Sequence, residues 1–76
     1  IEDDNLEILE VPNTVVDIKH CAFSGCSNLR EVFIPDSVEC FGGNICSHCH
    51  KDLVVHVDPN NPHYEEIQKD PNYFID

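Results

Sequence analysis

The sequence predicts a solenoid: stacked coils of 23 residues, each contributing one short β-strand to a parallel ladder, with a turn-rich cap at the C-terminal side. Three observations carry this. Residues 6–28, LEILEVPNTVVDIKHCAFSGCSN, lie over residues 29–51, LREVFIPDSVECFGGNICSHCHK, without a gap. Five aligned pairs are identical (Leu6/Leu29, Pro12/Pro35, Val15/Val38, Ser24/Ser47, Cys26/Cys49), and six more are close in kind (Leu9/Val32, Val11/Ile34, Asn13/Asp36, Thr14/Ser37, Ile18/Phe41, Ala22/Ile45). The agreements fall on apolar and turn positions while charged positions drift, as buried columns require. A copy of this kind cannot hide its apolar edge alone, so copies stack with like residues over like, about 4.8 Å apart.

Each element follows from local chemistry. Residues 1–5 form the N-terminal edge and 6–28 the first repeat. Leu9 and Val11 are two apart, which puts them on one face of a strand, and Pro12 removes a backbone donor and ends the pairing. Asn13-Thr14 supply turn chemistry, and Val15, Ile18, Ala22 and Phe23 then arrive at irregular steps. Repeat two, residues 29–51, repeats this with Val32, Ile34 and Pro35. Residues 52–58 form a partial third repeat. An offset of 23 sets Val55 and Val57 over Val32 and Ile34, whereas pairing Leu53 with Leu29 needs 24 and would bury His56. Strand alternation selects the first register, because Leu53, Val55 and Val57 then share a face and no imidazole needs buried partners. Residues 59–76 form the cap: two prolines in Asp58-Pro59-Asn60-Asn61-Pro62 enforce a turn, residues 63–69 can make one short helical turn, and Tyr73, Phe74 and Ile75 lie over the open end of the stack.

The pattern L-x-x-L-x-V/I-P-x-x-V-x-x-I-x-x-x-A-F-x-G-C resembles the BspA-type, or Treponema pallidum-type, leucine-rich repeat. Residues 6–34 match it closely, and the tail VHVDPNNPHYEEI resembles a segment common beside such repeats, so the likeness spans residues 6–67. It implies a leucine-rich-repeat solenoid with Cys26 and Cys49 in the turn column. The second copy departs from the pattern, with Ile45-Cys46 in place of Ala-Phe and His48 in place of Gly. The resemblance also implies a surface or secreted recognition protein of the kind linked to adhesion to host matrix proteins. Five cysteines, an odd number, point to reduced thiols, and no apolar leader is visible, so a cytoplasmic location stays open beside the surface one.

Composition narrows the partners. Fifteen Asp plus Glu stand against four Lys plus Arg, a net charge of −11, with no basic cluster to neutralise phosphates, so nucleic acid is not an expected partner. Apolar runs are too short for membrane insertion. At 76 residues the chain is one domain, and folding buries only about 60% of the surface of the unfolded chain, which leaves little room for a deep substrate cavity. Two and a fraction repeats leave an open edge, expected to be met by further repeats or by self-association.

The cysteines and histidines raise two other chemistries. Cys46-Ser47-His48-Cys49-His50 is a C-x-x-C with interleaved imidazoles, and a zinc-stabilised interaction module built on it is the alternative reading. Zinc needs four converging ligands, however, and Cys21, Cys26 and Cys40 do not repeat the tight spacing. The expectation is therefore no metal and no cofactor, with the column cysteines packing as small hydrophobes. Catalysis is not expected either: His20-Cys21 and His48-Cys49 are adjacent in sequence, an arrangement in which side chains rarely face each other, and no nucleophile elbow, phosphate loop or H-E-x-x-H is present. Asp3-Asp4 and Glu65-Glu66 read as solvated acidic surface, and the segment from Asp58 lacks the Gly and the bidentate Glu of a calcium loop.

The candidate site is the outward face of the ladder. With Leu9, Val11, Val32, Ile34, Val55 and Val57 inward, alternate residues point out as two columns, Ile8/Glu31/Val54 and Glu10/Phe33/His56. An aromatic among aliphatic and charged residues has the make-up of a protein-recognition patch, with an apolar centre and a polar rim. These six residues are the expected binding residues of a non-catalytic module.

Overall fold

The computed structural model describes residues 7–70 and 72–74; Leu6, Asp3-Asp4, the 1–5 edge and Ile75 lie outside them. The order of elements is β1 (Ile8–Glu10), β2 (Asp17–Ile18), β3 (Glu31–Ile34), β4 (Cys40–Phe41), β5 (Val54–Val57) and α1 (Tyr64–Lys69). Strands β1, β3 and β5 form a parallel three-stranded sheet with β3 in the middle. Its register is Leu9 to Val32 to Val55, with Ile34 beside Val57, so the 23-residue offset holds in the third strand as well and His56 stays outside.

The prolines act as the sequence requires. Val11 donates its N–H to Phe33 O at 3.0 Å as the last rung between the first two coils, and the next residue, Pro12, has no donor to continue. Val15 N–H then closes a turn on Pro12 O at 3.1 Å. Charged and polar residues do not interrupt the ladder because every second side chain faces solvent, as the alternating burial of β3 records.

One expectation needs correction. The first two coils carry not one strand each but two: β2 and β4 pair in parallel, Asp17 with Cys40 and Ile18 with Phe41. Stacking brings the whole coil, not its first strand alone, to hydrogen-bonding distance of its neighbour. Cys21, Phe23 and Gly25 accordingly donate to the carbonyls of Gly43, Ile45 and Ser47 at 2.9–3.0 Å. The irregular spacing of the apolar residues concealed this, because backbone pairing between coils needs no side-chain alternation when one side of the segment is turned inward only at intervals.

The core runs through the stack as columns. Val32, Val38, Leu29, Cys26 and Ile45 are wholly buried, and Ile18, Phe23, Ile34, Cys46, Val57, Ile67 and Phe74 nearly so. Where the second copy departs from the first, the backbone is nonetheless reproduced. Cys21 and Asn44 share a left-handed conformation (φ 57° and 55°), and His48 adopts at φ 59° the conformation that Gly25 adopts at φ 85°. Packing of Ile45 and Cys46, both buried just before His48, holds a histidine where glycine would be unstrained.

The third coil stops after its strand, and three devices close its end. Asn61, 23 residues after Val38, is buried, and its side-chain amide donates to Pro35 O at 2.9 Å and Val38 O at 3.0 Å while its oxygen accepts His63 N–H at 2.8 Å. Helix α1 buries Ile67 against the stack. Phe74 O accepts the N–H of Cys46 at 2.9 Å, standing in for the carbonyl that a complete third coil would present. Tyr73 and Phe74 pack edge-to-face on Phe41. At the opposite end of the described residues lies an apolar cleft of about 310 Å³ lined by Leu9, Val11, Pro12, Val15, Ile18, Ala22 and Phe23 among others.

Candidate functional site

The outer face of β1–β3–β5 brings together the six residues expected there. Glu31 pairs in register with Ile8 and with Val54, and Phe33 pairs with Glu10 and with His56. Ile8, Phe33 and Val54 are exposed large hydrophobic side chains, at 54%, 38% and 50% of their full accessible surface, which makes this face unusually apolar for an 8.6 kDa chain carrying eleven net negative charges.

The face is ordered by its own contacts. The rings of Phe33 and His56 stack at 4.5 Å between centroids and 12° between planes, the direct result of their neighbouring positions across β3 and β5. Such a pair contributes about 0.5–1.5 kcal/mol beyond the area it buries. His56 Nε2 lies 3.1 Å from Glu31 Oε1, one strand over and two residues back. Ring stacking and this polar contact fix the imidazole in two directions, so the aromatic pair is presented in one orientation. Of the described residues of the tail, Tyr73 and Phe74 lie on Phe41 and not on this face.

The alternative centre at Cys46–His50 is built differently. None of the five cysteines is in a disulfide: Cys21 and Cys40 are exposed, Cys26 and Cys46 buried, and Cys49 intermediate. Cys49 Sγ donates to Phe23 O at 3.2 Å across the coils. Burial, with the neighbouring Cys49 and Cys26 as lesser causes, pushes the Cys46 thiol up to about 12, and burial likewise raises that of Cys49. Both shifts oppose the thiolate that a nucleophile or a zinc ligand must supply. His50 Nδ1 accepts Asp52 N–H at 3.0 Å, a local turn contact. Among the described residues no group of three or more His, Cys, Asp or Glu side chains gathers so as to hold a metal ion. In this segment Cys46 packs in the core and the chain turns at His48.

Coil-over-coil columns with a cysteine at the corner and a proline after each strand of the three-stranded sheet are matched across residues 2–69 by the family model described as BspA type leucine rich repeat region (6 copies). The chain belongs to this family. No curated protein matches the chain, and no solved structure matches it. BspA-type repeat regions are typically surface-associated, non-enzymatic modules that mediate protein interactions. Among the described residues no helix is long and apolar enough to cross a membrane.

Sequence reasoning missed two residues that position the face. Gly42 packs so closely under the first coil that a Cβ there would lie 2.2 Å from His20 N and 2.6 Å from both His20 Cα and Lys19 C. Asn61 seals the third coil, as described above. Alignment could have flagged both: Gly42 aligns with Lys19, and Asn61 continues the Val15/Val38 column with a polar residue.

Proposed function

We propose that the protein is a non-catalytic recognition module that binds a protein partner on the outer face of β1–β3–β5, through Ile8, Glu10, Glu31, Phe33, Val54 and His56, as part of a surface or adhesion-type repeat protein. The observation that carries this reading is the stacked and exposed Phe33–His56 pair, flanked by Ile8 and Val54. Leaving such surface in water is unfavourable, and burying it under a partner returns about 25 cal/mol for each Å² removed. The cores of the coils do not depend on these side chains, so the face is free to be specified by its partner. Within this reading residues 59–76 serve as the cap that ends the ladder, and the open face of the first coil is the route for self-association.

The test is capture on a panel of immobilised extracellular-matrix proteins by the intact chain and by Phe33→Ala and Val54→Lys, each checked for an unchanged far-UV circular dichroism spectrum. Binding to a matrix protein that is lost in both variants supports the reading. Binding that survives both removes the strand face as the site, and absence of binding to the whole panel removes matrix adhesion.

A further inference from the structure

The partner's chemistry can be narrowed further, an inference that rests on the strand-face reading and specifies it. At the C-terminal ends of the strands, Glu10, Val11, Phe33, Pro35, His56 and Asp58 border a shallow cleft of about 400 Å³. The Phe33 and His56 rings and the aliphatic surface of Val11 and Pro35 line it. Its charged members are carboxylates, Glu10 and Asp58, and no lysine or arginine lines it.

These carboxylates differ from ordinary surface acids in their setting. Glu10 is exposed and makes no ion pair among the described residues, and it stands next to Phe33 in the ladder register. Asp58 is partly buried, and its Oδ1 accepts Asn60 N–H at 2.9 Å, which holds the carboxylate at the rim. The other acid of the face, Glu31, is already engaged by His56. A purely apolar partner laid on this cleft would strip water from two carboxylates and give nothing in return. An acidic partner would meet like charge locally and from the whole molecule. A cation suits both the carboxylates and the exposed Phe33 side chain that lines the cleft with them.

We propose that the cleft receives an arginine side chain presented by an extended, basic segment of the partner protein. The guanidinium lies over the Phe33 ring with Glu10 and Asp58 as its counter-charges, and the apolar residue beside the arginine rests on Val11 and Pro35. Arginine fits better than lysine because its planar group is weakly hydrated, stacks on aromatic faces and can engage two carboxylate oxygens at once. The net charge of −11 steers basic segments toward the molecule before contact and repels acidic ones.

The experiment titrates terminally blocked pentapeptides Ala-Leu-X-Leu-Ala, with X as arginine, lysine, citrulline or glutamate, into the isotopically labelled chain and follows its amide resonances at low and high salt. The arginine peptide is expected to bind most tightly, shifting Glu10, Phe33, His56 and Asp58, and to weaken as salt rises. Citrulline, which keeps the shape but not the charge, is expected to bind about tenfold more weakly. Glu10→Gln and Phe33→Leu, both exposed substitutions that leave the core intact, should each weaken the arginine peptide about three- to fivefold. Equal binding of the citrulline and arginine peptides at these amides overturns the basic partner but leaves the strand face as a docking surface. Arginine-peptide shifts that map elsewhere overturn the cleft, and if the matrix-protein capture is also insensitive to Phe33→Ala, the strand face falls with it. No binding of any peptide also overturns the proposal.

Discussion

Gly42→Ala tests the stacking on which the binding face depends. The added Cβ would meet His20 N at 2.2 Å and both His20 Cα and Lys19 C at 2.6 Å, all backbone atoms that cannot rotate away. Ordinary contact between such atoms is about 3.5 Å, so the two coils must separate by roughly 1 Å at this point. Three hydrogen bonds span the same junction: Gly42 N–H to Ile18 O at 2.7 Å, Cys21 N–H to Gly43 O at 3.0 Å and Glu39 N–H to Val16 O at 2.8 Å. Losing two or three of them costs about 1 kcal/mol each, and residual overpacking adds about 1–3 kcal/mol, for a destabilisation of about 3–6 kcal/mol. Proteins of this size have a total stability of about 4–11 kcal/mol, so the variant should lose a large fraction of it. Gly43→Ala is the control: Gly43 is exposed, and its φ is not positive. Urea unfolding followed by circular dichroism gives both free energies. If Gly42→Ala falls within about 0.5 kcal/mol of Gly43→Ala, the coils are not held in the close apposition described here.

Three further outcomes follow from particular residues. His48→Gly should stabilise the chain by about 0.5–1 kcal/mol, because it relieves a left-handed conformation that costs an L-residue about 1–2 kcal/mol while raising unfolded-state entropy by less; a lower urea midpoint would contradict this. Asn61→Leu should cost about 2–4 kcal/mol, since Pro35 O and Val38 O lose their donor and His63 N–H its acceptor, and a variant as stable as the parent in thermal unfolding would show the seal to be unnecessary. The raised Cys46 thiol makes stability depend on pH in one direction: in the folded state it keeps its proton between 9.0 and about 12, where the unfolded thiol releases it. Its contribution is therefore complete below 9.0 and declines as pH rises toward about 12, at up to about 1.4 kcal/mol per pH unit. Cys46→Ala should flatten that decline relative to the parent in unfolding curves taken across the range, and parallel curves would place the thiol in a less buried setting.

Much of the architecture could be read from spacing. Leu9, Val32 and Val55 form one row because a 23-residue period, a two-residue alternation and a proline stop leave one consistent register. The outward columns, and with them Phe33 beside His56, follow from the same alternation. What escaped was whatever depends on the back of the coil. The β2–β4 pair has no alternating side-chain signature, since its partner is the backbone of the next coil. The contact between the Phe33 and His56 rings, and the reach of Glu31 to His56, are likewise consequences of rotamer choice across strands.

The repeat thus determined by itself that the chain stacks, where the strands of the three-stranded sheet stop and which of their residues face out, because period and proline act locally and are copied from coil to coil. Closure of the stack was decided only in three dimensions. Asn61 occupies a valine column, Phe74 lends a carbonyl to Cys46, and Gly42 leaves space for a peptide 22 residues earlier in the chain. Each answers to a neighbour that is near in space and distant in sequence, so its meaning appears only when the coils are laid on one another.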